Sequence, residues 1–192
     1  MTTSDPPTGE GTSTSMLIAD AQRDLRRVYV GGFYGQLVSG AVWLLAAAAT
    51  TWVSTAAGTA ALWFGGMLIF PLTALALRVS GRAASLGRGH PFAGLATQIA
   101  FTVPIGLLVA LALATQRPDL FFPAAMVVVG AHYLPFVFLY GMRLYAVLAA
   151  VLVLGGVALA VLLPGPGVLG AWGTGAVLVV AAFALRHAAR ES

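Results

Sequence analysis

The chain has 192 residues, of which 59% are hydrophobic and only 8% charged, with a mean hydropathy of +0.92. Soluble domains carry roughly a quarter charged residues, so this composition excludes a soluble single-domain protein. The net charge of +4 comes from ten arginines and six acids. Those arginines sit at the edges of apolar runs with no basic-aromatic stripe, which argues against a nucleic-acid partner and for charges that flank membrane spans. Cysteine is absent, which excludes a disulfide framework, a thiolate metal site and a cysteine nucleophile.

In chain order, residues 1–15 are rich in Thr, Ser, Pro and Gly; they cannot bury apolar surface and are expected to be a disordered cytoplasmic tail without a cleavable signal. Met16 to Tyr29 reads as an amphipathic helix. Leu17, Ile18, Ala21, Leu25, Val28 and Tyr29 share one face, and Asp20, Arg23, Asp24, Arg26 and Arg27 take the other. It either lies on the inner membrane surface or simply extends the first span. A spanning helix needs about 20 mostly apolar residues. That length predicts six spans, at about 31–53, 57–77, 95–115, 120–142, 144–163 and 168–185. The first break falls at Ser54-Thr55-Ala56, and the last at Pro164-Gly165-Pro166-Gly167, where a helix cannot continue. Residues 16–192 are therefore expected to form one six-helix transmembrane domain.

Fifty residues between Arg27 and Arg78, and forty-two between Arg143 and Arg186, carry no charge. With the N-terminus inside, nine of the ten arginines fall on the cytoplasmic side, leaving only Arg117 beside Asp119 outside. This is a strong positive-inside pattern. The expected fold class is all-α, an integral bundle of six transmembrane helices with N-in/C-in topology in the cell membrane, preceded by a short amphipathic helix.

No Asp, Glu, Lys or Arg lies inside a span, which weighs against proton- and cation-coupled transport. His132, near the middle of the fourth span, is the one central ionisable group. It is expected to face protein or water and to find a hydrogen-bond partner, either as a ligand or proton site or as a neutral bond between helices. With Tyr133 and Gln98 it outlines a candidate binding cavity. Pro71, Pro104 and Pro135 interrupt the second, third and fourth spans, consistent with kinked packing or with a pathway lined by freed carbonyls. Gly31, Gly35 and Ser39 form a small-residue stripe suited to close helix contact, with an intramolecular neighbour or in a homo-oligomer. Trp43, Trp52, Trp63 and Trp172 fall mostly toward span ends, as interfacial aromatics do. The cytoplasmic loop Val79 to Gly94 is basic and Gly-rich but lacks a P-loop, so contact with anionic lipid headgroups is its expected role. No catalytic residues, metal site or cofactor are predicted: His90 and His187 belong at the cytoplasmic edge while His132 is central, which gives no coaxial haem pair, and no hydrolytic constellation appears.

Gly130-Ala131-His132-Tyr133-Leu134-Pro135, followed by Leu139-Tyr140 and Tyr145, resembles the motif of a family of small bacterial multi-pass membrane proteins classed as a domain of unknown function. Phe70-Pro71-Leu72 and His90-Pro91-Phe92-Ala93-Gly94-Leu95 are similar to its other motifs. The chain departs from the family pattern at His90-Pro91-Phe92-Ala93, where Asn-Pro-Leu-Gly is usual, and at Met142-Arg143, where Ser-Lys is usual. The resemblance covers roughly residues 30 to 160 and implies a helical membrane protein, with no substrate or catalytic residue to carry over.

Two functional classes follow. One is a non-enzymatic membrane protein acting in helix packing, assembly or modulation of a partner. The other is a small transporter or channel with a cavity near His132. A membrane-embedded enzyme would need a nucleophile or an acid-base pair, and the sequence offers neither.

Overall fold

The computed structural model describes residues 17–83, 85–87, 89–162 and 167–191. The expected disordered tail, Met16, and the first three residues of the Pro-Gly turn lie outside them. Among the described residues six helical segments are long and apolar enough to cross a membrane, and the protein is an all-helical, multi-pass bundle.

Helix α1 (Ile18–Tyr29) ends where Val30, Gly31 and Gly32 take left-handed φ values of 54°, 64° and 87°. A continuous right-handed helix cannot pass through such residues. The chain therefore turns through Val30–Gly32 before α2 (Phe33–Trp52) starts, two residues later than the span expected from Gly31. Separated in this way, α1 is a helix in its own right. Its face is only partly turned inward: Ala21 and Leu25 are buried against the bundle, while Leu17 and Ile18 stay exposed.

Helix α3 (Thr55–Val79) follows after only Val53 and Ser54. The Ser54 hydroxyl accepts from the Ala57 N–H at 3.1 Å, the ordinary cap for an orphan donor in the first turn. Thr55 and Ala56, expected in the break, are thus helical. Helix α4 (Ala93–Ala114) carries Pro104 without interruption, as α3 carries Pro71. The fourth span is different. It divides into α5 (Phe121–His132) and α6 (Leu134–Tyr140), with a break at Tyr133 two residues before Pro135. Helix α7 covers Leu144–Val161, and α8 runs from Val168 to Glu191, well past the expected end at Leu185.

Helix α2 lies between α3 and α8, and α5 between α4 and α7. Small residues set the closeness of these contacts, as expected where no hydrophobic drive separates lipid from protein. A Cβ on Gly58 would sit 2.7 Å from the Ala46 carbonyl oxygen across α2–α3, and one on Gly156 would sit 2.7 Å from the Pro123 carbonyl oxygen across α5–α7. Trp43 belongs to this interior, not to a span end. It is 1% exposed and its ring centroid is 6.2 Å from that of Phe122. Trp52 and Trp172 do pair at the opposite end from α1, edge to face at 5.9 Å, and the Trp172 indole N–H donates to the Thr51 hydroxyl. Helices α3 and α4 are peripheral: only 11% and 17% of their most apolar stretches are buried, against 44% for the α5–α6 span.

Candidate functional site

The break at Pro135 organises the centre of the molecule. Proline has no N–H to give Ala131 and its ring crowds that carbonyl, so the regular ladder breaks and the turn tightens, the Tyr133 N–H bonding the Gly130 carbonyl at 3.1 Å. His132 and Tyr133 then serve different neighbours. His132 Nδ1 lies 3.0 Å from the Thr102 hydroxyl of α4. That hydroxyl donates its single hydrogen to the Ile99 carbonyl at 2.7 Å, which leaves the ring to donate from Nδ1. Phe136 stands edge-on to the imidazole at 4.9 Å.

Tyr133 faces the other way, toward Ser39 and Gln36 of α2. Both are buried, and so are Tyr133, Tyr140 and Tyr145. The tyrosines and Phe136 pack ring against ring, with Tyr140 and Tyr145 centroids 5.2 Å apart and Phe136 and Tyr145 5.4 Å apart. From this cluster the Tyr145 hydroxyl donates to the Gly31 carbonyl at 2.8 Å, tying α7 to the turn that precedes α2. Gln36 Oε1 and the Thr174 hydroxyl, both buried, have no hydrogen-bond partner among the described residues.

Of the three residues expected to outline a cavity, His132 and Tyr133 adjoin but point to opposite neighbours. Gln98 lies one turn before Thr102 and is exposed; it makes no hydrogen bond to either among the described residues. Two cavities lie elsewhere: one of about 210 Å³ among arginines at the α1 end, and an apolar groove between α2 and α3. The small-residue stripe is used within the chain. Gly31 abuts Leu185 and Ala189 of α8, Gly35 lies opposite Thr73 of α3, and Ser39 is buried.

A second polar junction had no clear signal in the sequence. Gln22 donates to the Phe138 carbonyl at 2.6 Å, and Arg26 donates to the Tyr140 carbonyl. Both carbonyls belong to the last turn of α6; that of Phe138 also takes the Gly141 N–H, and the Arg26 cation meets the negative end of the helix dipole. Burial first, and then the charge of Arg23, lower the Arg26 pKa from its usual value. His90, expected in a lipid-facing loop, is instead 7% exposed. Its Nδ1 accepts from the Phe92 N–H at 3.2 Å, and its Nε2 lies 3.5 Å from Asp24 of α1. Gln22 and Arg26, four residues apart, share one face of α1.

Residues 18–187 match the family of unknown function DUF7010. The chain belongs to that family. The DUF7010 match starts with the first residue of α1 and ends within α8, so it takes in the docked helix as well as all six spans and is wider than the resemblance drawn from the span motifs. No curated protein and no solved structure matches the chain significantly.

Proposed function

We propose that the protein is a non-enzymatic component of the cell membrane, with both termini cytoplasmic, that acts by packing and assembling with a partner in the bilayer and modulating it. The observation that carries this reading is the engagement of His132. The central ionisable side chain of the spans is occupied in a bond between α5 and α4, through Thr102, with Phe136 packed edge-on against its ring. The Arg26, Arg27, Arg82, Arg186 and Arg190 side chains converge at one end of the bundle, which supports the cytoplasmic assignment of that end.

A structural His132 predicts coupling with Thr102. His132→Ala and Thr102→Val should each lower the unfolding stability of the detergent-solubilised protein. In the double variant the two effects should fall short of additivity by about 1 kcal/mol, the usual worth of an interhelical bond in a membrane. Additive losses would remove the basis for this role.

The transport reading keeps one observation in its favour: Gln36 and Ser39 place polar groups beside Tyr133 in the bundle interior. The absence of cysteine allows a direct comparison. Single cysteines at positions 98, 102, 132 and 133 are expected to resist a membrane-impermeant thiol reagent in sealed vesicles at 102, 132 and 133. Labelling of those three would replace the packing role with a water-filled pathway.

A further inference from the structure

Five arginines from three separate parts of the chain meet around one cavity of about 210 Å³. Arg26 and Arg27 come from α1, Arg82 from the segment after α3, and Arg186 and Arg190 from neighbouring turns of α8. None of the five forms an ion pair with a carboxylate among the described residues: Asp20 pairs with Arg23 and Asp119 with Arg117, while Asp24 and Glu191 lie beside His90 and His187. Two of the five are otherwise engaged. The Arg26 guanidinium donates to the Tyr140 carbonyl, and that of Arg186 lies 4.7 Å from the Phe33 ring centroid. Arg186 Nε is buried without a hydrogen-bond partner among the described residues. Gathering like charges in a partly enclosed space is unfavourable unless an anion shares it, and arginine forks are suited to phosphate oxygens.

The cavity does not stand alone. Tyr34 lines it and also lines the head of the groove between α2 and α3. Val38 and Leu45 on one wall, and Leu72, Leu75 and Val79 on the other, make that groove apolar, with a volume of about 520 Å³. Leu45, Leu72, Leu75 and Val79 are exposed to the surroundings of the bundle. A charged pocket that meets an open apolar furrow at Tyr34 has the polarity profile of one kind of molecule.

We propose that the arginine pocket and the α2–α3 groove form a single site for one anionic phospholipid, its phosphate among the arginines and an acyl chain along the groove. A free phosphate would satisfy the pocket but leave the groove without a role; the groove commits the site to a lipid. This proposal is independent of His132 and of the packing role above. It also moves the headgroup contact expected of the Val79 to Gly94 loop to a pocket that the loop shares with α1 and α8.

The test uses the full chain purified in mild detergent, incubated with phosphatidylglycerol or phosphatidylcholine and examined by native mass spectrometry. One phosphatidylglycerol should be retained in strong preference to phosphatidylcholine. Arg82→Gln with Arg190→Gln should weaken that retention roughly thirtyfold, since each basic group near an anionic surface contributes about 1 kcal/mol. Leu75→Trp, which fills the groove and leaves every arginine in place, should weaken it at least tenfold, and it decides the matter if the charge variant does not fold. Equal retention of both lipids, or full retention by Leu75→Trp, would overturn the proposal. Displacement of the lipid by millimolar inorganic phosphate would do the same, because the pocket would then be a site for soluble anions.

Discussion

At Gly32 a Cβ would lie 2.1 Å from the Tyr145 hydroxyl oxygen, and the backbone φ is 87°. Both facts exclude a side chain, the first by overlap and the second by the left-handed conformation that L-residues resist. Gly32→Ala is therefore expected to destabilise the protein by about 3 kcal/mol, combining backbone strain with overpacking. Tyr145→Phe removes only the bond to the Gly31 carbonyl and is expected to cost about 1 kcal/mol. Thermal unfolding in detergent, followed by circular dichroism, should rank the two in that order. Equal losses would show that the hydroxyl, and not the space around it, controls this turn. The identity of Gly31 and Gly32 is plain in the sequence, but their role is not. Gly31 reads with Gly35 and Ser39 as one helical stripe, because four-residue spacing looks the same whether or not the first member has left the helix.

At the scale of the elements, α1 depends on what it touches. Twelve residues are marginal as an isolated helix. Ala21 and Leu25 bury its apolar side, while Gln22 and Arg26 fasten it to the end of α6. Gln22→Ala with Arg26→Ala should release it. Amide hydrogen exchange across Ile18–Tyr29 is expected to accelerate at least tenfold, with α2 and α7 little changed. Exchange that stayed as slow as in the parent would mean that the apolar contacts alone hold α1. The amphipathic pattern made this helix visible in the sequence. Its destination was hidden, because the acceptors are main-chain carbonyls that no side-chain pattern announces. Pro135 gives the opposite case: it stands in the sequence as an interruption, and α5 and α6 separate there. Pro71 and Pro104 looked equivalent, yet α3 and α4 run through them.

For the molecule as a whole, apolar length and sparse charge were enough to read six spans, since a bilayer imposes the same length on every helix. Which helices touch was not readable, because nearly every face is apolar and the decisive contacts are made by glycines and small residues. The peripheral placement of α3 and α4 belongs to that unreadable part. So does the arginine pocket, although Arg186 and Arg190, four residues apart on one helix, already shared a face. Convergence of arginines from α1, the segment after α3 and α8 at one end sets a topological expectation. A phosphatase that is active only outside the cytoplasm, fused after α8, should be inactive, and a fluorescent protein fused there should fold and emit. The reverse pair of results would invert the orientation.

The same convergence has a consequence for the order of synthesis. Arg26 and Arg27 leave the ribosome among the first residues of the bundle, whereas Arg186 and Arg190 belong to its last helix. The cationic pocket is therefore incomplete while the intervening spans insert, and it closes only when α8 takes its place against the turn at Gly31. A chain halted before α8 keeps Tyr34 and the groove residues but lacks two of the five guanidinium groups. Capture of a lipid headgroup would then be a late event that marks a finished protein and holds its first and last helices together.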